Sequence, residues 1–179
     1  MDDDENLVGK EQRMQDLDPC SKIGMKDVCM IGIKGMGGAG KTTLAWAIFN
    51  KISFNFEGKS FVENVRERAS EIGLEKLQEQ VLRDVSNNNE ITVSGLHEGK
   101  NLMSKNLRGK KVFMVLDDVD HKCQLEKLAG DSIWFKPGSR ILITTTRDGL
   151  VLEAHRVNLV NDVNLLSSEE AIYLLSRHT

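Results

Sequence analysis

Short unbroken apolar runs alternate along this chain with stretches whose apolar residues recur every three or four positions. Val28-Cys29-Met30-Ile31-Gly32-Ile33 is the first such run, and it fits a strand buried on both faces, as a parallel sheet requires. From Thr42 to Asn50, Leu44, Ala47 and Ile48 fall at helical spacing, so a helix follows and packs on the sheet. Ser60-Phe61-Val62 with Val65 reads as a second strand. Leu74, Leu77, Val81, Leu82 and Val85 trace one face of a second helix, which the turn residues Ser86-Asn87-Asn88-Asn89 close. A short helix around Leu102, Met103 and Leu107 leads into Val112-Phe113-Met114-Val115-Leu116, another buried strand. Leu125 and Leu128 suggest a brief helix, and Pro137-Gly138 introduces a strand from Ser139 to Thr145. Near the end, Ser167 and Glu170 form a capping box ahead of Ala171, Ile172, Leu174 and Leu175. Strands alternating with helices predict an α/β fold, a sheet covered by helices on both faces.

Composition narrows the classes. A chain of 179 residues has the size of one domain, and 40% apolar with 28% charged residues is ordinary for a globular protein. A net charge of −3 gives no general electrostatic attraction to nucleic acid or to an anionic membrane, so neither is expected as a partner. The acidic start Met1-Asp2-Asp3-Asp4-Glu5 lacks the layout of a signal peptide, and no apolar run approaches the roughly 20 residues of a membrane span. The three cysteines, Cys20, Cys29 and Cys123, have neither a disulfide-framework nor a zinc-ligand spacing, which suits a reducing, cytoplasmic setting. Residues 1–26 are polar and irregular and read as an arm; residues 27–179 read as the domain.

The chemistry concentrates in one loop. Gly35-Met36-Gly37-Gly38-Ala39-Gly40-Lys41-Thr42 matches the phosphate-binding pattern G-x-x-x-x-G-K-[ST], between a buried strand and a helix as that pattern demands. Bound phosphates lie against main-chain N–H groups, so the loop must curl with no Cβ in the way. The helix that follows points unpaired N–H groups and its positive dipole end at them. The Lys41 ammonium is placed for the β- and γ-phosphates, the Thr42 hydroxyl for Mg²⁺, and Thr43 for the α-phosphate.

Asp117-Asp118 stands at the carboxyl end of the apolar run 112–116, the edge where open α/β sheets bind ligands. Asp117 is placed to hold Mg²⁺, directly or through water, and Asp118 to orient an attacking water. Asp120 reads as a solvated turn residue. Arg147 ends Thr144-Thr145-Thr146-Arg147 at the same edge and is a candidate sensor of a γ-phosphate.

Taken in order, the segments from Gly32 to Ala45, from Phe61 to Glu67, from Val115 to Asp120, and Gly138-Ser139-Arg140-Ile141 with its Thr-Thr-Arg-Asp ending resemble the motif set of the NB-ARC domain, the nucleotide-binding switch of plant NLR disease-resistance proteins. Asp120, where the other large class usually has Trp, and the Phe61–Glu67 segment resemble the TIR-type class. The resemblance implies a three-layer P-loop NTPase fold with a mostly parallel sheet and helices on both faces. It implies ADP or ATP as ligand, and adenine contact from the backbone at Leu7-Val8-Gly9. Lys34 stands where the family usually has Trp, and the threonine run before Arg147 is one residue longer than usual. The chain reads as the nucleotide-binding core without the later helical and winged-helix lobes, and the TIR and leucine-rich-repeat regions of a longer relative are where protein partners are expected.

Three functions fit these residues. A switch that ADP holds off and ATP turns on in a defence response is the reading the resemblance implies. A truncated fragment acting as an inert or decoy binder is the alternative. A P-loop ATPase or kinase acting on a small substrate fits less well, since no arginine-rich lid segment is present and the Asn-Lys-x-Asp guanine signature of GTPases is missing. At most a slow ATPase is expected.

Overall fold

The structure is a computed structural model describing residues 28–35, 40–146 and the backbone of 159–162. The strands are β1 (Cys29–Lys34), β2 (Gly58–Val62), β3 (Val112–Leu116), β4 (Arg140–Thr145) and β5 (Leu159–Asp162). The helices are α1 (Lys41–Ile52), α2 (Val65–Ile72), α3 (Leu74–Ser86), α4 (Leu96–Leu107) and α5 (Lys122–Leu128), with single 3₁₀ turns at Ser53–Asn55 and Ser132–Trp134. The strands lie in the order β2-β3-β4-β1-β5, and every neighbouring pair is parallel. All five carboxyl ends therefore reach the same edge of the sheet.

The apolar runs are continuous because both faces of the sheet are covered. Along β3, Val112, Met114 and Leu116 pack into one core with Leu77, Val81, Leu82 and Val85 of α3 and with Met103 and Leu107 of α4. The alternate residues Phe113 and Val115 pack into the opposite core with Leu44, Ala45, Ile48 and Ile52 of α1. On β4, Ile141 and Ile143 join the first core and Leu142 the second. This alternation is the two-residue period of a strand read twice, once per face. On the α1 side Phe61 stacks on Trp46, and Phe49 packs edge-on against both rings.

β2 ends the sheet on one side among the described strands. The side-chain amide of Gln80 donates to the carbonyl of Phe61 at 3.0 Å, and the Ser60 hydroxyl bonds the Asp84 carboxylate at 2.8 Å.

Several details depart from the sequence pattern. Val65 does not extend β2: Asn64 adopts a left-handed conformation (φ 53°), and Val65 opens α2. The helix around Leu102 starts earlier, at Leu96. Cys29, expected to be unpaired, is disulfide-bonded, while Cys123 is an exposed free thiol. Asp120 is not a solvated turn residue. Its carboxylate accepts from the Gln124 side-chain N–H at 2.7 Å while its main-chain N–H donates to the side-chain Oε1 of Gln124 at 2.9 Å, so it closes the start of α5. The arm and the helix expected after Ser167 lie outside the described residues.

Ile143 sits at the centre of β4 with no exposed surface. Ile143→Ala leaves a cavity between two neighbouring strands and the α3–α4 layer. We expect a loss of about 2–5 kcal/mol in unfolding free energy, measured by urea denaturation.

Candidate functional site

At the shared carboxyl edge, a cleft of about 600 Å³ opens over the start of α1 and the ends of β2, β3 and β4. Its walls include Gly40, Lys41, Thr42 and Thr43 from one side, Glu63, Asn64 and Arg66 from another, and Asp117, Asp118, Thr144 and Thr146 between them. β1 lies beside β4 on one side and β5 on the other, so the chain reverses its direction of winding at β1, the place where open α/β sheets take their ligands.

The start of α1 is built for an anion. Gly40 adopts φ 84°, a conformation that side-chain-bearing residues rarely take, and the chain turns there directly into the helix. Gly40 offers no side chain to cap the helix, and no acidic residue stands in its first turn. The first-turn N–H groups point out of the helix without intrahelical partners, and the dipole there favours negative charge. Lys41 adds its ammonium at the same place and is 7% exposed, unusual burial for a lysine. Gly35 leaves β1 with its N–H bonded to the carbonyl of Thr145 at 3.2 Å, which ties the entry of the loop to the end of β4.

Asp117 lies at the end of an entirely apolar strand and is 4% exposed. Three hydrogen bonds from two hydroxyls reach its carboxylate. The Thr42 hydroxyl lies 3.1 Å from each oxygen, and the Thr144 hydroxyl donates to Oδ1 at 2.8 Å. Thr144 in turn accepts the N–H of Asp118 at 2.8 Å, and its carbonyl accepts the N–H of Val119 at 2.9 Å. Its one hydroxyl thus fixes the Asp117 carboxylate and the turn that follows it. Asp118 occupies the left-handed region at φ 60°, a conformation aspartate tolerates better than most residues. Its Oδ2 lies 3.3 Å from Nε of Arg66.

The donor set fits Mg²⁺. Among the described residues no group of three or more His, Cys, Asp or Glu is placed to hold a metal, so there is no all-protein cage. A carboxylate beside a hydroxyl at the mouth of an anion site is the arrangement Mg²⁺ uses when phosphate oxygens and water complete its shell. Thr42 and Asp117 would hold it, and the ion would neutralise charge on bound phosphates.

The sequence-level candidates divide accordingly. Gly35, Gly40, Lys41, Thr42, Thr43, Asp117 and Asp118 converge on one edge. Val8, Gly9, Met36, Gly37, Gly38, Ala39 and Arg147 lie outside the described residues. Two residues of the site were not anticipated in these roles. Thr144 carries the signal of a hydroxyl at the end of a buried strand. Arg66 carries none locally, because only the fold brings it to Asp118.

Sheet order, winding reversal and anion-ready helix start define a P-loop nucleotide-binding α/β domain. The NB-ARC domain family matches residues 12–179, and the chain belongs to that family. It is 39% identical to TMV resistance protein N of Nicotiana glutinosa over 97% of its length, and 38% identical to Disease resistance protein RUN1 of Vitis rotundifolia over 96%. The probable disease resistance protein RPP1 of Arabidopsis thaliana matches at 38% over 96% of the chain. The chain spans 13–15% of the length of these three relatives. Among solved structures, a chain of the Drosophila ORC complex with GC-rich DNA and Cdc6 superposes with a TM-score of 0.56, covering 89% of this chain and 58% of that one. At 10% identity this likeness shows the P-loop NTPase fold alone. No helix among the described residues is long and apolar enough to cross a membrane.

Thr144→Val keeps side-chain volume but removes the hydroxyl that serves Asp117 and Asp118. It leaves a buried N–H without its acceptor and a buried carboxylate short of a donor. We expect about 1–3 kcal/mol lost in chemical denaturation, with Thr144→Ser restoring most of it.

Proposed function

We infer that this chain is an adenine-nucleotide switch module of a plant defence-signalling protein, binding ADP or ATP with Mg²⁺ in the cleft at the carboxyl edge of its sheet. The observation that supports this reading most is the Thr42–Asp117 contact beside the uncapped, lysine-bearing start of α1. It sets a hydroxyl and a carboxylate that fit Mg²⁺ beside a helix start that fits an anion, in one cleft. In this reading the loop from Gly35 to Gly40 wraps the phosphates, with Met36, Gly37, Gly38 and Ala39 supplying main-chain N–H groups. Lys41 meets the β- and γ-phosphates, Thr43 the α-phosphate, and Thr42 with Asp117 the metal. Val8 and Gly9 line adenine, and Arg147 faces the terminal phosphate. Nucleotide identity, rather than turnover, carries the signal. A cytoplasmic protein with TIR and leucine-rich-repeat regions on a longer chain is the setting that fits, and those regions would supply its protein partners.

Lys41→Ala tests this directly. The far-ultraviolet circular dichroism should be unchanged, because Lys41 lies at the first position of α1 and not in either apolar core. Calorimetric titration with ADP and Mg²⁺ should lose its signal, since hydrogen bonds to a charged group contribute about 1.5–3 kcal/mol each, roughly a tenfold or greater change in affinity. Wild-type affinity in a folded Lys41→Ala chain would sink the assignment. GDP in place of ADP, run in parallel, should bind more weakly.

A further inference from the structure

Asp118 is the candidate base for ATP hydrolysis and lines the cleft, yet neither of its oxygens is free to act as one. Oδ2 lies 3.3 Å from Nε of Arg66. Oδ1 is buried and accepts no hydrogen bond. A carboxylate with one oxygen engaged by a guanidinium and the other buried is not oriented to take a proton from water.

The fold delivers Arg66 to this position through the backbone. The N–H of Val65 donates to the carbonyl of Asp117 at 2.8 Å, and the N–H of Arg66 to the carbonyl of Asp118 at 2.9 Å. The N–H of Asp117 returns a bond to the carbonyl of Val62 at 2.9 Å. The first turn of α2 is therefore bonded to the two acidic residues themselves, and the side-chain pair continues that main-chain contact.

The two partners differ in exposure: the Arg66 side chain is 55% exposed and that of Asp118 is 19%. A pair with one solvated arm is weak and exchangeable. Arg66 also lines the cleft, so the pair stands beside the space a bound nucleotide would fill.

We propose that Arg66 is a positioning residue that latches Asp118 in a state unable to activate water, so that the domain holds ATP without consuming it. The proposal rests on the reading of the cleft as a nucleotide site. With the latch open, a water oxygen attacks the γ-phosphorus, its proton passes to the Asp118 carboxylate, and the bond from the γ-phosphorus to the bridging oxygen breaks with its electron pair going to ADP. Net, ATP and water give ADP, phosphate and a proton.

Single-turnover hydrolysis of γ-labelled Mg·ATP by the 179-residue chain tests the latch, with ADP affinity measured on the same preparations. Arg66→Ala should hydrolyse faster than wild type by about tenfold, a fraction of the hundredfold or more that a positioned base supplies. Arg66→Gln keeps much of the side chain's length without its charge and should do the same, which covers the case in which Arg66→Ala does not fold. Arg66→Lys should stay close to wild type. The gain should vanish in Arg66→Ala/Asp118→Asn, with each variant assayed at nucleotide concentrations that saturate it. Unchanged or slower hydrolysis in both charge-removing variants, with ADP still bound, overturns the latch and leaves the nucleotide site standing. So does an acceleration that survives Asp118→Asn. Failure of wild type to bind ADP or ATP overturns the nucleotide reading and the latch together.

Discussion

A carboxylate 4% exposed at the end of a strand with no polar residue has to be met by donors, and meeting it organises the whole edge of the sheet. Thr42 comes from α1, Thr144 from β4, and Asp117 itself from the end of β3. Three elements far apart in sequence are thereby fixed to one another at the point where a ligand would enter. The parallel order of the strands makes this possible, because only a sheet with every carboxyl end on one side can bring these groups together.

The helix layers serve the same point. α1 buries Leu44, Ala45, Ile48 and Ile52 against the sheet and leaves Thr42 and Thr43 exposed at its first turn. Its start is held by the packing of its body, so the uncapped N–H groups need no side chain of their own to stay in place. On the other face, α2 is bonded to the Asp117-Asp118 main chain and packs its Val65 and Ala69 into the α3 side of the core. A shift of α2 would thus be felt at Asp118, which gives the domain a short mechanical route between its surface and its cleft.

Much of this was legible in the sequence, for a definable reason. The strands β1, β3 and β4 are buried on both faces, so each carries an apolar run too short for a helix, and the acidic pair after β3 marks the strand end. The glycine-rich pattern before Lys41 identifies the anion site because backbone geometry permits few alternatives. The boundary after β2 was misread because Phe61, Val62 and Val65 are compatible with a continued strand. Only the left-handed turn at Asn64 separates them, and Asn gives a weak signal for it. β5 was missed because Leu159–Asp162 is four residues long with one polar residue in its interior. Thr144 looked like one member of a threonine run. Its role depends on facing Asp117 across the β3–β4 register, in which Leu116 pairs with Ile143. Arg66 was invisible for the same reason: its partner is set by which strand lies beside β2, and no local pattern encodes that.

The outer margin of β2 has a consequence for how such chains behave in a crowd. A free strand margin is a template on which a second molecule can zip its own backbone, the first step towards fibrous aggregates. Here Gln80 already occupies the carbonyl of Phe61, Ser60 is held by Asp84, and Lys59 just before them is exposed with its charge. A newcomer would have to displace an amide and desolvate an ammonium to gain one rung. The margin is blunted by side chains from a neighbouring helix, so many copies can stand close together while their sheets stay separate.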